Sequence, residues 1–196
     1  MIEVGLASEN EMVLAFLRAE VDSSRYDEMV TTTLFRLGFT RKVIDEPDLT
    51  DEAENSARKQ LLAFRGYERR EALFTGFPVD VIWRRVALQP ADLQTLRYAN
   101  YRTWVELSDE TRLVSVGARN FRQRPDSPDT YQINGIAAAL RGGGSFPALI
   151  TAQHKDGSLI LIEGHSRATA YLLEGHTGDI ETLVGSSPSM CGWAFY

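Results

Sequence analysis

The sequence predicts an α+β fold on three observations. Apolar stripes at helical spacing fill residues 9–64, β-branched and aromatic residues cluster from Phe77 to Leu88, and a glycine divides the apolar run Leu159-Ile160-Leu161-Ile162 from a further helical stripe. Ser8 followed by Glu11 forms a capping-box pattern, and Met12, Val13, Phe16 and Leu17 recur behind it, so a helix is expected over 9–20. Tyr26, Met29, Val30, Leu34 and Leu37 predict a second over 24–37, with Gly38 as a left-handed stop. After Pro47, Thr50 can cap a third that carries Ala53, Ala57, Leu61 and Phe64 before Gly66. Residues 1–75 therefore read as a helical N-terminal region without a catalytic constellation, suited to packing or an oligomer surface.

The pattern changes near residue 75, and residues 76–196 read as a second domain. Val79, Val81, Ile82, Trp83, Val86 and Leu88, flanked by Pro78 and Pro90, predict a strand. Asp92–Tyr98 reads as a short helix, Ser108-Asp109-Glu110 as a capped turn, and Gly117–Thr130 as a loop that can serve as a lid. Ile133, Ile136, Ala137 and Leu140 predict a helix stopped by Gly142-Gly143-Gly144. Strands follow over Ala148–Ala152 and Ser158–Glu163, joined by the turn Lys155-Asp156-Gly157. A helix over Ala168–Glu174 ends at Gly175, a closing strand covers Ile180–Val184, and the apolar tail Trp193–Tyr196 is expected to dock on its own core.

Composition narrows the function classes. At 196 residues and 43% hydrophobic the chain supports one sizeable core or a small core with a helical appendage. The start Met1-Ile2-Glu3-Val4 lacks a signal pattern and the longest apolar runs are strand-length, so a cytoplasmic protein without a membrane partner is expected. A single cysteine, Cys191, excludes an intramolecular disulfide, a cysteine zinc site and a CxxC pair. The net charge of −6 argues against broad nucleic-acid binding. Arg112, Arg119, Arg122 and Arg124 nevertheless form an acid-free run, either a solvated surface or a phosphate-facing segment; Arg112 and Arg119 are its candidate substrate or phosphate contacts.

The chemistry concentrates at Glu163-Gly164-His165-Ser166-Arg167, where a buried strand turns into a helix. A glycine there permits a sharp bend, and the first helical turn offers unpaired amides and a positive dipole end to an anion. Arg167 adds a planar fork for phosphate oxygens, while His165 and Ser166 supply further donors. Glu163 is the candidate catalytic residue, as a magnesium ligand or a proton acceptor. The competing interpretation pairs Arg167 with a structural carboxylate and makes His165 a loop-filling side chain.

Other motifs fail on geometry. Gly164-His165-Ser166-Arg167-Ala168 approaches the GxSxG nucleophile elbow, but Ala168 replaces the last glycine, and His176 follows at the far end of the same short helix. His154, His165 and His176 lack zinc-ligand spacing. Gly142-Gly143-Gly144 follows a helix, unlike a Walker or Rossmann loop.

From Ile133 to Gly175 the order of helix, glycine loop, Pro147, two strands, Gly-His-Ser-Arg turn and helix resembles the ParB/sulfiredoxin superfamily, with a looser likeness over 79–185. The equivalent turn reads Gly-Glu-Arg-Arg in partition proteins, Gly-Cys-His-Arg in sulfiredoxins and Asp-Gly-His-His-Arg in free serine kinases; the last is most similar to Glu163–Arg167. The resemblance implies a small mixed sheet with packed helices. It also implies that Gly164, His165, Ser166 and Arg167 bind the phosphates of ATP or CTP, with Glu163 handling Mg2+ or a proton. Sulfiredoxin's reactive cysteine is replaced by His165, and the second arginine of the partition proteins is Ser166. Two functions stay open: an ATP-dependent enzyme, either an ATPase or a small-molecule kinase with an unidentified acceptor, and a non-catalytic nucleotide-gated module binding a protein or specific DNA.

Overall fold

The computed structural model describes residues 1–21, 26–123 and 128–196, the last stretch without the side chains of 128–130. Five strands form one mixed sheet: β1 Ile2–Ala7, β2 Ile82–Leu88, β3 Leu149–Gln153, β4 Leu159–Glu163 and β5 Ile180–Ser186, in the order β1-β2-β5-β3-β4. Among the pairings between these described strands, the β3–β5 pairing alone is parallel. The helices are α1 Glu9–Glu20, α2 Asp27–Leu37, α3 Lys42–Asp45, α4 Glu52–Leu62, α5 Arg102–Leu107, α6 Val114–Phe121, α7 Pro128–Arg141 and α8 His165–Leu173. The α+β class expected from the sequence is thus the observed one.

Alternation within the strands explains the layering. Ile160 and Ile162 join Ile150, Ala152 and Leu183 in one core with residues of α1–α4, whereas Leu159 and Leu161 join Leu149, Val184, Ala168 and Tyr171 in a core on the opposite face. A strand buried on both faces must be apolar at every position, which accounts for the unbroken run Leu159–Ile162. The outer edge of β4 is covered: Arg97 donates its N–H to the Leu159 carbonyl at 2.9 Å and accepts from the Leu161 N–H at 2.8 Å.

Local signals place the helices. Ser8 caps α1 by accepting from the Glu11 N–H at 3.1 Å, and the Glu11 carboxylate accepts from the Ser8 N–H at 2.6 Å. Ser8→Ala is expected to cost about 1 kcal/mol, read from a urea midpoint shift at constant m-value. Gly38 stops α2 in the left-handed conformation. The start expected for α2 at residue 24 lies outside the described residues. Asp51, not Thr50, caps α4, because its carboxylate accepts from both Ala53 and Glu54 amides.

Other expectations need correction. The first third is mainly helical as expected, but it also contributes the unanticipated strand β1, which pairs Ile2 with Ala87, and one core cluster runs from Met12 to Trp193, so contacts cross residue 75. The first stretch of the strand expected from Val79 is irregular, and β2 begins at Ile82. Asp92–Gln94 forms only a 3-10 turn. Most of the expected lid is helix, since α6 reaches Phe121 and α7 begins at Pro128; Arg124 lies outside the described residues. The tail docks as expected: Trp193 is buried and its indole N–H donates to the Leu73 carbonyl at 2.6 Å. Among the described residues no helix is long and apolar enough to cross a membrane.

Candidate functional site

The turn between β4 and α8 forms as the sequence predicts, and the helix starts three residues earlier than the apolar stripe suggests. Gly164 sits at φ +100° and ψ 18° as the N-cap. A β-carbon there would meet Leu149 Cδ2 at 2.4 Å, so both conformation and space require glycine. Having no side-chain oxygen, Gly164 leaves the helix uncapped, and the amides of His165, Ser166 and Arg167 donate to no described residue. The first intrahelical bond runs from the Ala168 N–H to the Gly164 carbonyl at 2.8 Å. Three unshared N–H groups therefore converge at the positive end of the α8 dipole.

The side chains are arranged otherwise than expected. Arg167 does not extend over the turn. Its side chain is 6% exposed, and its fork donates to the Glu163 carboxylate and to the carbonyls of Pro147 and Ala148. Arg167 thus ties the approach to β3 to the end of β4, with its donors engaged inward. Burial lowers its pKa to about 10, which still leaves a cation at neutral pH. Glu163 is held by that cation, its side chain 17% exposed. One half-buried carboxylate already paired with a guanidinium does not suit a magnesium ion, which prefers oxygen ligands and water. Among the described residues no group of three or more His, Cys, Asp or Glu is placed to hold a metal.

His165 is also committed to the fold. The Ala99 N–H donates to its Nε2 at 3.2 Å, so that nitrogen carries no proton. The rings of Tyr98 and Trp104 stack near it at centroid distances of 6.0 and 5.3 Å, and Tyr101 meets it edge-on at 6.0 Å. Burial, then the charges of Arg65 and Arg112, lower its pKa to about 3. Beneath it, Thr169 donates to the His165 carbonyl at 2.8 Å and shares a 2.7 Å hydrogen bond with the Tyr98 hydroxyl. Ser166 alone keeps a loosely held donor: its hydroxyl lies 3.4 Å from the Gln132 side-chain oxygen.

The two arginines singled out upstream separate. Arg112 is a brace that donates to the carbonyls of Tyr98 at 2.9 Å, Tyr196 at 2.8 Å and Phe195 at 3.1 Å. Burial, then the charge of Arg97, lowers its pKa. Arg119 lies exposed on α6, outside this cluster. Sequence reasoning missed Arg65, whose guanidinium lies over the rings of Phe16 and Tyr26, donates to the Tyr26 hydroxyl at 2.6 Å and sits 4.0 Å from Glu20. Its position before Gly66 reads only as a helix end, so no sequence signal marked it.

The site is therefore an uncapped helix end with one hydroxyl, set in the positive field of Arg65 and Arg112 and backed by an internally neutralised Glu163–Arg167 pair. Compared with protein-family models, curated proteins and solved structures, the chain matches none.

Proposed function

We propose that this protein is a nucleotide-binding module that holds a phosphate group of ATP or CTP at the amino end of α8. The observation that carries this reading is the uncapped first turn, with three amides that find no acceptor among the described residues, beside the Ser166 hydroxyl. An anion supplies the missing acceptors and meets the dipole favourably. The sequence resemblance to the ParB/sulfiredoxin superfamily supports the same turn. The module is favoured over the phosphotransferase because Glu163, the candidate base or metal ligand, is engaged by Arg167. A partner, protein or DNA, is read through the helical layer α1–α4 that covers the other face of the sheet.

The roles within the site change accordingly. Backbone amides and Ser166 contact the phosphate, Gly164 lets the chain approach it, and His165 and Arg167 shape the turn from behind. Saturating ATP or CTP, with and without Mg2+, is expected to raise the melting temperature by roughly 5–10 °C at about 100 times Kd. Ser166→Asp places a carboxylate over the same amides, where it suits the helix dipole and repels phosphate. The variant should keep the unliganded melting temperature and lose the nucleotide shift. No shift with either nucleotide at millimolar concentration defeats the proposal. Phosphate release abolished by Glu163→Gln reinstates the enzyme.

A further inference from the structure

Successive backbone amides of the segment 97–100 reach separate parts of the chain. The Arg97 N–H donates to the Leu159 carbonyl of β4 at 2.9 Å and the Tyr98 N–H to the Arg112 carbonyl at 2.7 Å. The Ala99 N–H donates to His165 Nε2 at 3.2 Å, and the Asn100 N–H to the Phe195 carbonyl at 3.0 Å. The first residue of α8 and the tail are therefore anchored to adjacent peptide groups. A second contact runs beside the first: the Phe195 ring packs on Tyr101 at a centroid distance of 4.3 Å, and Tyr101 meets the His165 ring edge-on. Arg112 closes the arrangement, because its guanidinium joins the Tyr98 carbonyl to those of Phe195 and Tyr196. It does so from a left-handed backbone, φ +62°, which residues other than glycine seldom adopt.

The end of the tail can lift without opening the core. Trp193 is the buried anchor, whereas Ala194 is exposed and Phe195 and Tyr196 are half-buried. Beyond Trp193 the remaining ties are the Ala194 N–H to the Thr75 carbonyl, the Tyr196 ring on His154, and the Tyr196 hydroxyl accepting from the Lys155 N–H at 2.7 Å. A segment that buries so little apolar surface opens at low free energy.

We propose that residues 194–196 are a strap that regulates the amino end of α8. Seated, the strap fixes Asn100 and Tyr101 and, through Ala99 and His165, the first turn of the helix; lifted, it releases that turn. The regulatory sense rests on the phosphate reading above. Because His165 supplies one of the amides offered to the phosphate, a bound nucleotide favours the seated strap, and by linkage the seated strap tightens nucleotide binding by the same factor.

Hydrogen exchange of the unliganded full chain, followed by NMR, tests the coupling without nucleotide. In the double variant Phe195→Ala, Tyr196→Ala the Ala99 and Asn100 amides should exchange at least about ten-fold faster, while Arg97 and the amides of β5 keep their rates. Arg112→Lys, whose single ammonium cannot span the three carbonyls, should reproduce that pattern. The double variant should also bind ATP or CTP at least about five-fold more weakly, and saturating nucleotide should slow exchange of the Tyr196 amide in the wild type. Unchanged Ala99 exchange in the double variant overturns the strap, as does acceleration that extends equally to β5. Full nucleotide affinity in the double variant overturns its regulatory role. Selective acceleration in a protein whose wild type binds neither nucleotide upholds the coupling and defeats the phosphate reading instead.

Discussion

Replacing Arg167 with alanine is expected to remove about 3–5 kcal/mol of unfolding free energy and to lower the melting temperature by roughly 8–15 °C. The guanidinium is 6% exposed and joins three acceptors from two strand ends: the Glu163 carboxylate and the carbonyls of Pro147 and Ala148. Its loss leaves a partly buried carboxylate without a counter-charge and two carbonyls without that donor, and each term is unfavourable on its own. Arg167→Met retains much of the stem and lacks the fork, so it separates packing from charge. Glu163→Gln keeps a hydrogen-bond acceptor and should cost less, about 1–2 kcal/mol. The two substitutions share one partnership, so their effects should be non-additive in a double-mutant cycle. An Arg167→Ala protein within about 0.5 kcal/mol of wild type would show that the latch does not form.

Acidification should destabilise the protein through His165. Its folded-state pKa is lowered to about 3 by burial and by the charges of Arg65 and Arg112, whereas the unfolded chain takes up that proton near pH 6.5. Below pH 6.5 the unfolded state therefore binds more protons than the folded state, and linkage makes stability fall as pH falls. The contribution is complete above about pH 6.5 and is lost on descending toward pH 3. Allowing for the part of the residue that reaches solvent, the loss is on the order of 2–4 kcal/mol. Urea denaturation at a series of pH values measures it. His165→Gln keeps an acceptor for the Ala99 amide without an imidazole, and should flatten the curve across that interval. An equally steep curve in the variant would assign the acid sensitivity elsewhere, such as to Glu9, whose pKa is held low by its hydrogen bonds to Lys59 and Tyr67 against the opposing effect of burial.

Local chemistry was legible in the sequence where it acts over a few residues. The Ser8–Glu11 box, the Gly38 stop and the Gly164 bend each follow from interactions within one turn, and each appears where expected. The apolar run in β4 was legible because burial on both faces removes polar residues altogether. The missed strand β1 is different. Its residues lie largely in solvent, Gly5 interrupts its pattern, and its partner Ile82–Leu88 is remote in sequence, so nothing nearby marks it. The site divides the same way. Its backbone geometry was readable from Gly164, but the targets of its side chains were not. Arg112 finds its acceptors at Phe195 and Tyr196, and Arg167 finds two of its own at Pro147 and Ala148, contacts that only the folded chain creates. The competing assignment of Arg167 to a structural carboxylate, with His165 filling space, describes the side chains observed.

The strand order carries a consequence for biosynthesis. β5 lies between β2 and β3 and is the last of the five to leave the ribosome. Without β5 the sheet reduces to two separate antiparallel pairs, β1 with β2 and β3 with β4, and no strand ladder unites them. Closure must wait for a segment that spans the gap, and such remote pairings slow folding and leave sticky surfaces uncovered meanwhile.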